Sequence, residues 1–283
     1  MIQFIEGNVS LQNSLALLDT EIILKYLGVE SNYFSLNIFD SIESTNTFLI
    51  DFFKSNKVSN KSSLIHVAVA EVQTKGRGRN GRSWVSGFGE SLTFSINWHF
   101  KEQPSFQLSS LSLVVGIALI RVFKSFSIEH IYLKWPNDVL FNHHKLAGVL
   151  IELRSGMEKR CNAVIGIGIN FNLSNTTRTN IVTETTDLFQ ITGKLFDRNL
   201  VLSVLLIELR KVISDFEKFG FCFFKSEWLS YHAYEGKRVC LKTPKNQIMG
   251  IVNGVDDDGA LFLLTDSGRE IFNVGDVSLR EEN

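Results

Sequence analysis

A short segment rich in arginine and glycine is the part of the chain best suited to binding an anionic ligand. It runs from Lys75 to Arg82 and reads KGRGRNGR. Arginine presents forked donors that fit phosphate or carboxylate groups, and glycine lets the backbone approach a ligand closely. The chain contains no GxxxxGK[ST] motif, which excludes a P-loop. Taken alone, the segment is equally compatible with a solvated basic loop or an RGG-like nucleic-acid contact.

Two further segments place polar side chains where strands are expected to end. Lys134 to Asp138 reads KWPND, and its proline predicts a turn between two apolar runs. Asn137 and Asp138 would then lie at a strand end. Lys145 opens the KLAG segment, which leads into another apolar run. An ordinary turn and a solvated lysine are the commoner interpretations of these segments when each is considered alone.

The segment from Ile165 to Asn170 has only a superficial likeness to a dinucleotide-binding fingerprint. It reads IGIGIN, lacks the third glycine of that fingerprint, and is not followed by a helical pattern. We therefore expect a buried strand whose glycines let another part of the chain approach its backbone.

The alternation of apolar and polar residues predicts the elements that must position these motifs. Strands are expected at 35–40, 65–70, 91–100, 131–134, 139–141, 146–153 and 161–171. Helices are expected after Asp19, after Ser44, over about 105–126 and over about 199–219, whereas 172–180 is expected to be a loop. From about Gly236 onward, short strands alternate with turn signals, a pattern typical of a small β-barrel.

The composition is that of a globular protein with one large and one small domain. The 283 residues are 44% hydrophobic and 21% charged, which argues against disorder, collagen-like structure and coiled coil. The net charge of -1 gives no overall attraction to nucleic acid or to an anionic membrane, so neither is expected as a partner. Three widely separated cysteines, no signal peptide and no apolar run long enough to span a bilayer predict a cytoplasmic protein.

Taken in their order along the chain, the motifs resemble those of the biotin protein ligases. The order is Ser44-Thr45-Asn46, then Gln73 with the arginine–glycine segment, KWPND, KLAG and the glycine-bearing strand. The resemblance implies an α/β (α+β) fold, in which a mixed β-sheet catalytic domain flanked by helices precedes a small SH3-like β-barrel. The expected boundaries are 1–34 for an N-terminal appendage with a short helix, 35–232 for the catalytic domain and 233–283 for the barrel.

The resemblance also implies a two-step reaction with ATP and Mg²⁺. Biotin is activated as biotinyl-5'-AMP and is then transferred to a lysine of the biotin carboxyl carrier protein of acetyl-CoA carboxylase. The residues implied to bind biotin are Ser44, Thr45, Asn46, Gln73, Arg77, Gly78, Arg79 and Lys145. Those implied to bind the nucleotide are Arg79, Trp84, Lys134, Asn137, Lys145 and Asn170.

Three residues are expected to take part in catalysis. Lys145 and Arg77 are expected to stabilise the charge that develops on the α-phosphate. We assign Asp138, as a hypothesis, to orienting the acceptor amine or removing its proton. Neither a covalent nucleophile on the enzyme nor a tightly bound prosthetic group is expected, and no protein ligands to a metal are predicted. The arginine–glycine segment is expected to order over the adenylate and to exclude water from it.

Several alternatives remain open at this level. About forty residues precede Ser44, too few for a winged helix-turn-helix with a linker, so ligase activity without operator binding is expected. A homodimer is neither indicated nor excluded. The alternative functions are a lipoate–protein ligase, a nucleic-acid-binding module and an inactive scaffold. KWPND together with GRGRNGR favours biotin over lipoate, a nucleic-acid module leaves KWPND and KLAG unexplained, and the presence of Lys145 and Arg77 argues against an inactive scaffold.

Overall fold

The described residues form three separate β-sheets. The computed structural model describes residues 2–5, 8–11, 16–55, 64–100, 108–155, 161–242, 246–273 and 278–281. The first sheet is a hairpin of β1 (Ile2–Ile5) and β2 (Asn8–Leu11). The second contains seven strands: β3 (Phe34–Ile42), β4 (Ile65–Gln73), β5 (Ser91–Phe100), β6 (Ile131–Lys134), β7 (Asp138–Phe141), β8 (His144–Ser155) and β9 (Cys161–Asn170).

The seven-stranded sheet is mixed, as the sequence predicted. Its strand order is β3-β4-β5-β9-β8-β7-β6, and only β3 and β4 run parallel to each other. Successive side chains of a strand point to opposite faces of the sheet. Both faces of this sheet are covered. In β4, Val67 and Val69 belong to one buried cluster, whereas Ala68 between them belongs to another.

Helices cover the two faces of this sheet unequally. They are α1 (Thr20–Leu27), α2 (Thr45–Ser55), α3 (Leu111–Ser125), α4 (Asn175–Thr179), α5 (Leu188–Thr192), α6 (Arg198–Phe219) and α7 (Cys222–Ser230). Helix α2 packs against β4, β5 and β9 around Leu49, while α3 and α6 pack together within the larger cluster on the opposite face. Among the described helices, none combines the length and the apolar character needed to cross a membrane.

Helix α1 is joined to the main core instead of standing apart from it. Asp19 caps the helix, as expected, by accepting a hydrogen bond from Ile22 N at 2.9 Å. The buried side chains of Ile23 and Leu27 belong to the large core cluster, and α1 packs against α6. The domain boundaries expected from the sequence stay predictions.

The structure differs from the sequence-based expectation in four helices, one of which is the short α5, which was not predicted. Helix α3 begins at Leu111, later than the expected start near 105, and residues 101–107 lie outside the described part of the chain. The expected loop at 172–180 contains the single turn α4, which Ser174 caps by accepting a hydrogen bond from Thr177 N. Helix α7 was not predicted, because it follows Gly220, which does end α6 as expected.

The third sheet lies at the C-terminal end and is antiparallel throughout. Its strands are β10 (Arg238–Lys242), β11 (Gln247–Val255), β12 (Leu261–Thr265), β13 (Gly268–Phe272) and β14 (Ser278–Glu281), in the order β13-β12-β11-β10-β14. Five short strands with this pairing agree with the expected SH3-like domain. The turn between β11 and β12 touches the main domain, where Trp135 Nε1 donates to Gly259 O at 3.0 Å.

Candidate active site

One cavity of about 610 Å³ contains almost all the site residues predicted from the sequence. It lies between the start of α2, the arginine–glycine segment, the KWPND turn and the strands β8 and β9. Its volume is in the range of small-molecule binding sites. The predicted residues that line it are Ser44, Thr45, Asn46, Gln73, Arg77, Gly78, Arg79, Trp84, Lys134, Asn137, Asp138 and Lys145.

A continuous hydrogen-bond network of Gln73, Thr45, Ser95 and Asn46 lies at one end of the cavity. We call the lining residues of this end, Ser44, Thr45, Asn46 and Gln73, the polar end. Gln73 Oε1 accepts from the backbone N of Thr45 at 2.8 Å and from its hydroxyl at 3.1 Å. The Thr45 hydroxyl lies 2.6 Å from that of Ser95 in β5, which donates to Asn46 Oδ1 at 2.5 Å. These residues are brought together because the start of α2 lies beside the end of β4 in space.

The arginine–glycine segment forms a tight loop over the cavity. Gly78 N donates to Arg82 O at 2.7 Å, and Trp84 N donates to Gly76 O at 2.9 Å. At the tip, Asn80 has a φ of 55°, a left-handed conformation that asparagine tolerates better than most residues. The loop therefore has a defined path, although three of its eight residues are glycines.

Two arginines of this loop reach different walls of the cavity. Arg77 Nη2 donates to Glu152 Oε2 in β8 at 2.8 Å and to the Thr47 hydroxyl at 3.2 Å. Arg79 Nη1 donates to Asn137 Oδ1 in the KWPND turn at 3.1 Å. The first arginine is thus held at the polar end, and the second is held beside the KWPND turn.

The KWPND turn and KLAG bring a lysine and a carboxylate into contact. Lys145 Nζ lies 2.6 Å from Asp138 Oδ1, and both side chains are largely withdrawn from solvent. The turn itself is fixed by Asn137 Nδ2, which donates to Val149 O at 2.8 Å. We call Arg79, Lys134 and Lys145 the cationic end of the cavity. It follows the polar end along β8, since Asn46 contacts Leu150 and Glu152 of that strand.

Glycines of β8 and β9 form the floor of the cavity. Gly148 and Gly168 are cross-strand partners, and the indole of Trp84 lies over them. A Cβ atom on Gly168 would be 2.5 Å from two ring atoms of Trp84, and one on Gly166 would overlap Asn46 Oδ1. The close approach that the sequence predicted for this strand is therefore confirmed, and its purpose is to seat two side chains of the site.

Asn170 is the one predicted site residue that the structure places outside the cavity lining. Its side chain is buried and donates to Thr186 O at 3.0 Å and to Lys145 O at 3.4 Å. Lys145 also exchanges backbone hydrogen bonds with Glu184 and Thr186. Asn170 thus fixes the backbone around Lys145, and its predicted contact with the nucleotide stays a prediction.

The structure adds lining residues that the sequence analysis did not select. Val182, Thr183 and Glu184 come from the segment before α5, and no motif marked them. His143 and Tyr234 also line the cavity, with ring centroids 6.0 Å apart. The sequence analysis had not selected His143 as a site residue. Its backbone has a φ of 67°.

Cationic side chains outnumber carboxylates in the cavity lining. The lining contains five cationic side chains, Arg77, Arg79, Arg82, Lys134 and Lys145, against the two carboxylates Asp138 and Glu184. Within the described residues, no group of three His, Cys, Asp or Glu side chains is close enough to hold a metal ion. The cavity is therefore suited to an anionic ligand.

Comparisons with known proteins show the family of this chain. Residues 38–170 match the Biotin/lipoate A/B protein ligase family, and residues 235–280 match the Biotin protein ligase C terminal domain. The Bifunctional ligase/repressor BirA of Escherichia coli is 33% identical over 246 residues, covering 87% of this chain and 74% of that protein. The Biotin--[acetyl-CoA-carboxylase] ligase of Paracoccus denitrificans is 30% identical over 216 residues, covering 74% and 88%.

A solved structure extends the likeness to three dimensions. The biotin protein ligase from Aquifex aeolicus in complex with biotin and ATP superposes with a TM-score of 0.72 at 32% identity, covering 88% of this chain and 99% of that one. The motifs from Ser44 to Asn170 fall within the first family match. The chain therefore belongs to the Biotin/lipoate A/B protein ligase family, and within it to the biotin protein ligases.

Proposed function

We propose that this protein activates biotin with MgATP and transfers the biotinyl group to a lysine of the biotin carboxyl carrier protein of acetyl-CoA carboxylase. The observation that carries the proposal is the division of one cavity into a polar end and a cationic end. The polar end suits the uncharged ureido ring of biotin, which offers both donors and an acceptor. The cationic end suits the biotin carboxylate and the phosphates of ATP.

The first step joins two anions, so it mainly requires positive charge to offset their repulsion. An oxygen of the biotin carboxylate attacks the α-phosphorus, the bond to the bridging oxygen of the β-phosphate breaks, and pyrophosphate leaves. Lys145 supplies a fixed positive charge for the oxygens of the α-phosphate, since its ammonium is already held in the cavity by Asp138. Arg79 and Lys134 add to this charge from the neighbouring walls.

The second step forms an amide. The nitrogen of the acceptor lysine attacks the biotinyl carbonyl carbon, AMP leaves, and the amine gives up a proton. When Lys145 turns toward the phosphate, the Asp138 carboxylate is released to orient the amine or to take its proton. The 2.6 Å contact between the two side chains places both groups in the same part of the cavity.

Mg²⁺ enters this scheme as part of the substrate MgATP, carried by the phosphates. The two carboxylates of the lining are Asp138, which is paired with Lys145, and Glu184. We place the reaction in the cytoplasm, since Cys161, Cys222 and Cys240 are free and widely separated in the sequence.

The test is a labelling reaction with matched acceptors. The protein is incubated with radiolabelled biotin, MgATP and either a biotin carboxyl carrier domain or the same domain with its acceptor lysine replaced by arginine. Label on the first carrier alone is the expected result. Biotinyl-AMP without any labelled carrier would overturn the proposed acceptor but retain the activation step. Activation of lipoate in preference to biotin would overturn the proposed substrate.

A further inference from the structure

Glu152 connects two residues of the biotin-binding region and belongs to none of the motifs described above. Its Oε2 atom accepts a hydrogen bond from Asn46 Nδ2 at 2.8 Å and another from Arg77 Nη2 at 2.8 Å. The side chain is only 26% exposed. Gly148, Leu150 and Glu152 alternate along β8 and therefore share the face that carries the cavity.

A carboxylate at this position fixes which way the Asn46 amide points. Ionised carboxylates only accept hydrogen bonds, whereas an amide side chain can do either. Glu152 therefore requires the NH₂ group of Asn46 on its own side and leaves Oδ1 to accept from Ser95. The amide is also confined sterically, because it is seated against the bare backbone of Gly166.

The orientation of the Asn46 amide also sets the direction of the other hydrogen bonds at the polar end. The Ser95 hydroxyl has a single proton, and donating it to Asn46 Oδ1 leaves the Ser95 oxygen only to accept. The single proton of the Thr45 hydroxyl is then shared between the Ser95 oxygen at 2.6 Å and Gln73 Oε1 at 3.1 Å. At the far end of the network, the backbone N of Thr45 fixes Gln73 Oε1 as an acceptor. The hydrogen bonds from Glu152 to Gln73 therefore all have a defined direction.

Glu152 also neutralises the cation closest to the polar end. Arg77 gives its guanidinium to Glu152 and Thr47, so its charge is balanced where an uncharged ring is proposed to bind. The same contact anchors the arginine–glycine loop to β8. Arg79, Lys134 and Lys145 line the other end of the cavity, where the phosphates are proposed to bind.

We propose that Glu152 is a positioning residue for biotin: it orients Asn46 and holds Arg77, so that the polar end presents a fixed hydrogen-bond pattern to a ureido ring. This inference rests on the proposed function, because it names the part of the same cavity that selects a neutral polar heterocycle. It predicts a specific loss in biotin affinity when the carboxylate becomes an amide.

The experiment measures biotin binding without ATP, by isothermal titration calorimetry, for the wild type and for Glu152→Gln and Glu152→Asp. Glu43→Gln is the matched control, since Glu43 pairs with Lys75 of the same loop at 2.7 Å but both side chains are largely exposed. Michaelis constants for ATP and thermal unfolding are measured for all four proteins. Glutamine preserves the size of the side chain, so the fold is retained.

The expected result is about a tenfold weaker Kd for biotin in Glu152→Gln, which is the size of one lost charge-assisted hydrogen bond. The KM for ATP and the unfolding temperature should stay at the control values. Glu152→Asp should bind biotin more tightly than Glu152→Gln, because aspartate still only accepts.

Unchanged biotin affinity in Glu152→Gln would overturn the inference, as would an equal loss of ATP and biotin affinity, which would indicate a general structural role. Tighter binding by Glu152→Gln than by Glu152→Asp would also overturn it. Because the titration needs no catalysis, a wild type that binds biotin but forms no adenylate would contradict the proposed function alone.

Discussion

Replacing Gly168 with alanine should slow adenylate formation strongly and change the stability of the fold only slightly. The added Cβ would lie 2.5 Å from Cε2 and Cζ2 of the Trp84 indole. Carbon atoms in contact are normally about 3.5–4.0 Å apart, so the ring must move by about 1 Å. Since Trp84 borders the open cavity, it can move into that space and leave the sheet undisturbed.

The magnitude follows from where the strain is relieved. Overpacking by one methyl group typically costs about 1–3 kcal/mol. Here the displaced indole occupies space proposed for the adenylate, so the free energy of overpacking weakens adenylate binding instead of destabilising the fold. We expect kcat/KM for adenylate formation to fall by about 5- to 150-fold, and the free energy of unfolding to change by less than about 1 kcal/mol.

Gly250→Ala provides a matched control in the C-terminal sheet. Its Cβ would lie 2.9 Å from the backbone oxygen of Leu264, which cannot move without breaking the ladder between β11 and β12. This variant should lose about 1–3 kcal/mol of stability and keep its kcat/KM.

The assay pairs initial rates of pyrophosphate release with urea unfolding of both variants. The reasoning would be refuted if Gly168→Ala lost as much stability as Gly250→Ala while its kcat/KM stayed at the wild-type value. That outcome would mean that Trp84 is held rigidly and that its position over the glycine floor is irrelevant to the ligand.

Three further changes test other parts of the structure. Lys145→Ala should slow pyrophosphate release by about 100- to 1000-fold, and an unchanged rate would remove Lys145 from the proposed mechanism. Glu71→Ala should lower the free energy of unfolding by about 3–5 kcal/mol, because it leaves Arg198 buried without its 2.5 Å partner, whereas Asp51→Ala at an exposed ion pair should change it by less than about 1 kcal/mol. Burial lowers the pKa of His232 below its ordinary value of 6.5, so the unfolded chain takes up the proton first and stability should fall as the pH drops below about 6.5. Urea unfolding at pH 7.5 and 5.5 should show a smaller loss for His232→Gln than for the wild type, and equal losses would contradict this assignment.

Most of the framework could be predicted from the sequence, because it depends on local patterns. The strands of both larger sheets follow from short runs rich in apolar residues and bounded by turn residues, and the capped start of α1 and the end of α6 at Gly220 follow from residue chemistry. Helices α4, α5 and α7 were missed. Each is short, so tertiary packing decides its conformation, and Phe224 and Trp228 of α7 are indeed buried in the core.

The site was only partly predictable, for a similar reason. The order of Ser44-Thr45-Asn46, the arginine–glycine loop, KWPND and KLAG indicated one ligand site, and the structure brings these segments to one cavity. Glu152 could not be selected, because a single glutamate in an apolar strand carries no motif. Its importance depends on Asn46 and Arg77, which are 106 and 75 residues away in the chain.

The sequence by itself determined which chemical groups this protein possesses and which local elements carry them, because residue type and periodicity act over a few neighbouring positions. Only the tertiary structure decided the pairing of those groups: Lys145 with Asp138, Arg77 with Glu152 and Trp84 with Gly168. The physical reason is that hydrogen bonds, ion pairs and van der Waals contacts act over a few ångströms in space, and the strand order of the sheet sets those distances.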